Sequence, residues 1–144
     1  MKIIFFGSGK FAVRILDELG ALGHDVCLVV TRPDRKKGRH LHLAPTPVKD
    51  SALRRGLALF QPEEINSAES LARLKKEGAD LFLVVSYGRI LSRSVLDLPA
   101  LGPVNIHASL LPKYRGAAPI AYALMHGDKK TGITFMRMSA KMDA

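Results

Sequence analysis

The sequence has almost no cysteine, no long apolar run and too few acids to balance its bases. Cys27 is the single cysteine of 144 residues, so no disulfide can form within the chain and no cysteine pair has metal-ligand spacing. It lies inside Val26-Cys27-Leu28-Val29-Val30, where a small buried hydrophobe is the simple reading. The apolar start at residues 3–6 is too short for a signal peptide. No stretch approaches the ~18 apolar residues of a membrane span. Repeats, low-complexity tracts and linkers are absent. A reduced, cytoplasmic-type protein with no membrane partner is therefore expected. Asp and Glu number 13 against 22 Lys and Arg, a net charge of +9. That excess suits a polyanionic partner, nucleic acid first. Charge alone does not separate this from a merely basic, soluble surface.

What is present reads as one domain, since 144 residues with 47% hydrophobic content suffice for a core. Short apolar runs alternate with helical patterns. Strands are expected at residues 2–6, 25–31, 57–60, 81–85, 104–107 and 131–138. Helices are expected after Gly7-Ser8-Gly9, where Phe11, Ile15, Leu16, Leu19 and Leu22 recur at helical spacing, and at 48–55, 67–77, 92–96 and 117–126. Thr46-Pro47 and Ser67 are start signals, and Pro119 is acceptable in a first turn. Residues 32–45 read as a long basic loop. Strands apolar on both faces, alternating with helices, predict an α/β fold with a parallel sheet and helices on both sides. In such sheets ligands sit beyond the carboxyl ends of the strands.

Gly7-Ser8-Gly9-Lys10-Phe11-Ala12 has the form of a dinucleotide fingerprint. The acid that should end the second strand is missing, because the strand ends at Thr31-Arg32 and Asp25 lies at its start. Arg32 could hold a phosphorylated cofactor instead. The same residues also make the tight strand-to-helix turn that any such fold needs. Residues 32–39, Arg-Pro-Asp-Arg-Lys-Lys-Gly-Arg, carry five positive charges and one negative. Leaving the second strand on the ligand side, they suit phosphate contacts that position an RNA without reading its bases. A solvated charge run is the plain alternative. His40 and His42 lack a third ligand, so no metal is expected.

Val104-Asn105-Ile106-His107 places an amide and an imidazole on one face, about 6.6 Å apart along the strand. An amide can donate to a developing oxyanion, and an imidazole can move a proton near neutral pH. Two satisfied strand-end polar groups are the alternative. A carboxylate could orient the imidazole. Asp143, just past the last strand, is the acid expected on the ligand side, whereas Asp128 precedes that strand. Ser109 has no base beside it, and Ser109-Leu110-Leu111-Pro112 reads as a rigid wall. The pattern suits transfer between two bound substrates without a covalent enzyme intermediate.

Asn105-Ile106-His107-Ala108-Ser109-Leu110-Leu111-Pro112 resembles the signature of the folate-dependent formyltransferases. Several further segments resemble the branch of that family that acts on tRNA. They are Phe11-Ala12, residues 30–35, Pro47-Val48-Lys49, residues 87–91, residues 114–120, Gly127-Asp128 with Thr131-Gly132, and Met142-Asp143. The resemblance covers almost the whole chain. It implies a Rossmann-like, mainly parallel sheet with helices on both faces. Residues 1–144 would be the N-terminal part of the catalytic domain, without the C-terminal β-barrel of family members.

It implies transfer of formyl from 10-formyltetrahydrofolate to the amino group of methionyl initiator tRNA, for translation initiation. Asn105, His107 and Asp143 match the catalytic trio. The folate pocket would involve Tyr87, Gly88, Ile90, Leu91, Ser109, Leu110, Leu111 and Pro112. The tRNA contacts would be Arg32, Arg35, Lys36, Lys37, Arg39 and Lys49, with Arg39 at the family's characteristic arginine. No metal, no NAD and no obligate protein partner are expected.

The chain departs from the family at Gly7-Ser8-Gly9, where Gly-Thr-Pro is usual, and at His40-Leu41-His42, where lysines usually follow the arginine. A sibling enzyme acting on a nucleotide sugar or glycinamide ribonucleotide, a nicotinamide oxidoreductase and a non-catalytic tRNA-binding fragment are the alternatives.

Overall fold

The computed structural model describes residues 1–139. Its first half runs β1 (Lys2–Gly7), α1 (Lys10–Ala21), β2 (Asp25–Val30), β3 (Arg35–Lys37), β4 (His42–Ala44), α2 (Pro47–Arg54) and β5 (Leu59–Phe60). It continues through α3 (Ala68–Glu77), β6 (Leu81–Val85), α4 (Arg93–Leu96), β7 (Pro103–His107), α5 (Pro119–Met125) and β8 (Thr134–Arg137). The start signals act as expected. The Thr46 hydroxyl accepts from Lys49 N and Pro47 takes the first turn of α2, while Ser67 caps α3 through Ser70 N. Each cap satisfies a backbone donor that the helix itself cannot.

Six strands form one sheet in the order β5-β2-β1-β6-β7-β8. All neighbours are parallel except β7 and β8. Alternation sends Ile4, Phe6, Leu28, Val30, Phe82 and Val84 to one face, where α3 and α4 bring Leu74, Val95 and Leu96. Ile3, Phe5, Val29, Leu83, Val85 and Ile106 line the other, under Ala12 and Leu16 of α1 and Val48 and Ala52 of α2. Cys27 is the extra residue of a bulge, since Ile3 pairs with Val26 and Ile4 with Leu28. Burial pushes its thiol pKa up, in keeping with an inert, half-buried group. Among the described residues no helix is long and apolar enough to cross a membrane.

Two expectations change. Residues 32–45 are not an open loop, because β3 and β4 pair antiparallel as a hairpin. Its strand residues are exposed apart from a half-buried Ala44, so no apolar alternation marks them. The last strand does not run with the others either. β8 is antiparallel to β7, with His107 opposite Thr134 and Val104 opposite Arg137. A parallel return would need a helix long enough to carry the chain back along the sheet. α5 has seven residues, about 10 Å of helix, so β8 starts near the end of β7.

Chain order runs from central β1 outward through β2 to β5, then returns to β6 on β1's other side. The direction of progression switches between β1 and β6, and the carboxyl ends of β1, β2, β6 and β7 share one rim.

Candidate functional site

Asn105 and His107 occupy the last turns of β7 at that rim, on the α3/α4 face beside Val84 of β6. The Asn105 amide is half-buried and has no side-chain hydrogen bond among the described residues. Asn66, by contrast, spends its amide on Ile90 O and Ser92 N. His107 is 7% exposed, and its Nε2 lies 2.8 Å from the Tyr114 carbonyl. A carbonyl only accepts, so Nε2 carries the hydrogen and Nδ1 holds the lone pair of the neutral ring.

The segment after β7 is tied down by hydroxyls. Ser109, fully buried, donates from Oγ to Lys113 O at 2.6 Å. Thr134 of β8 donates to Ser109 O at 2.7 Å and accepts from Leu111 N at 3.1 Å. Ser109 is thus a tie within a wall, as its sequence context suggested. Tyr114 donates from its hydroxyl to Asp128 Oδ2 at 2.8 Å, and Lys113 Nζ reaches the same oxygen at 3.3 Å. The Tyr114 hydrogen bond, aided by Lys113, holds the Asp128 carboxyl below the usual range and raises the tyrosine in turn.

This corrects the placement expected for Asp128. Because β8 is antiparallel, its beginning, not its end, lies at the rim beside His107. Asp128, which precedes β8, therefore stands on that side. Asp143 lies outside the described residues.

The loop after β6 sits next to the one after β7, since the two strands are parallel neighbours. Of the residues expected around a folate, Ile90 is 74% exposed and Leu110, Leu111 and Pro112 are at least partly open. Tyr87, Leu91 and Ser109 are buried beneath them. The Tyr87 ring packs edge-on against Phe6. Its hydroxyl has no hydrogen-bond partner among the described residues, and burial pushes its pKa to about 12. Gly88 has φ +79°, and a Cβ there would stand 3.3 Å from the Arg32 guanidinium.

Arg32 is accordingly turned inward over this loop. Lys49 is also committed, to Asp34 Oδ2 at 2.6 Å, and that hydrogen bond holds the Asp34 carboxyl below its usual range. Gln61 Nε2 binds Asp34 Oδ1 and Arg32 O. The six basic residues expected to face RNA therefore divide. Arg35, Lys36, Lys37 and Arg39 stand exposed on the hairpin with no ion pair among the described residues, while Lys49 is paired with Asp34 at its base and Arg32 is half-buried, its Nε without a hydrogen-bond partner among the described residues.

The glycine turn serves packing. A Cβ on Gly7 would come within 2.7 Å of Ala12 Cβ and of the Phe5 ring, so only glycine lets α1 approach the strand end. Ser8, 2% exposed, donates to Tyr87 O and accepts from Thr31 and Arg32 N. Two grooves of about 620 and 590 Å³ lie elsewhere, one between α1 and α2 and one at the amino end of β7. Neither is lined by Asn105 or His107.

Sequence reasoning missed Tyr114, Asp128, Thr134, Gln61 and Asn66 as parts of the site.

The chain is similar to known proteins. A family model described as formyl transferase matches residues 1–144. The methionyl-tRNA formyltransferase of Agathobacter rectalis is 49% identical over 143 residues, covering 99% of this chain and 46% of that protein. The methionyl-tRNA formyltransferase of Moorella thermoacetica is 50% identical over 144 residues, again covering 46% of its length. The chain thus spans under half the length of the curated relatives it matches. The crystal structure of phosphoribosylglycinamide formyltransferase from Bacillus halodurans superposes with a TM-score of 0.72 at 24% identity, over all of this chain and 75% of that one. At that identity the likeness carries the fold alone.

Proposed function

The chain belongs to the formyl transferase family, and from that premise we propose that it moves the formyl group of 10-formyltetrahydrofolate to the amino group of methionyl initiator tRNA. The setting would be translation initiation in the cytoplasm. The observation that carries the reading is the pair at the end of β7, an Asn105 amide with no side-chain hydrogen bond among the described residues beside a His107 whose Nε2 lies 2.8 Å from the Tyr114 carbonyl. The identity to tRNA-acting relatives and the exposed cations of the hairpin support the choice of acceptor.

In this mechanism the methionine nitrogen bonds to the formyl carbon, and Asn105 donates to the formyl oxygen as it gains charge. His107 accepts at Nδ1 the proton that the nitrogen sheds, keeping Nε2–H on the Tyr114 carbonyl. It returns that proton to the folate nitrogen as the carbon–nitrogen bond to the donor breaks. Asp143 is assigned the carboxylate that favours the transient imidazolium. The open surfaces of Ile90, Leu110, Leu111 and Pro112 would meet the folate, with Gly88 leaving room and Tyr87, Leu91 and Ser109 supporting them. Arg35, Lys36, Lys37 and Arg39 would meet tRNA phosphates.

The test is formyl transfer by the full-length gene product to charged initiator tRNA, with glycinamide ribonucleotide and an amino nucleotide sugar as control acceptors. Asn105→Ala and His107→Ala are each expected to lower kcat by roughly a hundredfold while tRNA affinity stays within about twofold. Transfer only to a control acceptor overturns the reading. Loss of tRNA binding in His107→Ala overturns the division between chemistry and grip.

A further inference from the structure

The mechanism uses His107 in one tautomer, and nothing in β7 itself selects it. The selecting group is the Tyr114 carbonyl, 2.8 Å from Nε2. Tyr114 holds that carbonyl in place from an unfavourable conformation, since its φ is +56°. For a bulky residue the left-handed region needs support from outside the residue. That support is at the far end of the side chain, where the hydroxyl donates to Asp128 Oδ2 at 2.8 Å. Lys113 Nζ closes on the same oxygen at 3.3 Å. The Ser109 tie to Lys113 O fixes the preceding residue.

From these contacts we infer that Asp128 is a positioning residue for the transfer reaction: through the Tyr114 ring and carbonyl it holds His107 with Nε2 protonated and Nδ1 free for the reacting nitrogen. The Asp128 carboxylate bonds to Tyr114 and Lys113 and not to His107. It acts at one remove, as outer partners that fix an imidazole's tautomer and orientation do elsewhere. The depressed Asp128 carboxyl and the raised Tyr114 hydroxyl follow from the same hydrogen bond. The chain of contacts also explains why this carboxylate sits by the rim without addressing it. Its charge is already met by Tyr114 and Lys113. The inference rests on the proton-accepting role proposed for His107.

The experiment uses the full-length protein with ¹⁵N-labelled histidine, recorded at alkaline pH where imidazoles are neutral. Unchanged protein is expected to show His107 with hydrogen on Nε2. Asp128→Ala and Tyr114→Phe each remove one end of the bond, and both are expected to give mixed tautomers. Their kcat should fall about tenfold or more, with KM for tRNA unchanged. Asp128→Asn keeps an accepting oxygen and is expected to restore the single tautomer and most of kcat. A purely structural role would not produce that rescue of the tautomer.

Hydrogen on Nδ1 in the unchanged protein overturns the inference. So does a single Nε2–H form that persists in both Asp128→Ala and Tyr114→Phe. Mixed tautomers with unchanged kcat uphold the chain of contacts and overturn the catalytic reading of His107 on which it rests.

Discussion

Strands β1, β2 and β6 hold their neighbours through side chains such as Ile4, Phe5, Phe6, Val29 and Phe82, all at most 1% exposed, whereas the segments leaving β2 and β7 are held by paired hydroxyls, amides and carboxylates. Thr31 meets Thr46 at 2.7 Å, Asp34 meets Lys49 and Gln61, Thr134 bridges Ser109 and Leu111, and Tyr114 meets Asp128. The difference is physical. Apolar burial is non-directional and adds up over area, so it sets stability. Hydrogen bonds have small net energies but strict geometry, so they set where a loop points. The body should therefore answer mutation with lost stability and the rim with misplaced groups.

The largest effect belongs to the body. Phe82, packed 5.1 Å from the Phe6 ring and 1% exposed, becomes a cavity in Phe82→Ala. A loss of about 3–5 kcal/mol is expected in urea unfolding. A loss under about 1 kcal/mol would mean the body relaxes as freely as a loop.

Tyr87 sits where the two regions meet, and its buried hydroxyl has no hydrogen-bond partner among the described residues. Its pKa of about 12 in the fold exceeds the ordinary value of 10. The unfolded chain therefore loses this proton first as pH rises. Stability is unaffected below pH 10 and falls between about 10 and 12, by about 2–3 kcal/mol in full. Tyr87→Phe should remove that fall and cost little at neutral pH, because it deletes an unpaired polar group. Equal alkaline sensitivity in both proteins would place the hydroxyl in contact with water.

Thr134→Val probes the rim alone. It removes both bonds of the Thr134 hydroxyl while keeping the side-chain shape. About 1–2 kcal/mol of local stability should go. The signature is faster hydrogen exchange at Leu111 N, with Val84 N in the body unchanged. Uniform acceleration at both amides would show that body and rim open together.

The same distinction decides what the sequence could reveal. Periodicity reports burial, so the body was legible. Residues 3–6, 28–30 and 82–85 alternate between the two faces as expected, and the caps at Thr46 and Ser67 mark their helices. Asn105 and His107 were legible because the period of a strand puts them together. The rim was not, because bonds such as Gln61 to Asp34 or Thr134 to Ser109 join residues 27 and 25 positions apart. No local pattern announces them. The β3–β4 hairpin was missed for the same reason, as its residues are exposed apart from a half-buried Ala44. Counting bases in 32–49 could not separate those that anchor from those that are free.

The smallest effect tests that separation within the hairpin. If Arg39 meets a phosphate, each such contact releases bound counterions when tRNA binds. Arg39→Ala should then flatten the dependence of log K on log salt by about one. Lys49 is already neutralised by Asp34 at 2.6 Å. The double change Asp34→Asn with Lys49→Gln leaves net charge as it was and loosens only the base. It should weaken tRNA binding by a similar factor at every salt concentration, with the slope unchanged. Titration of initiator tRNA across a salt series measures both. A slope that drops in the double variant as it does in Arg39→Ala would make Lys49 a phosphate contact, and the base of the hairpin would join its tip.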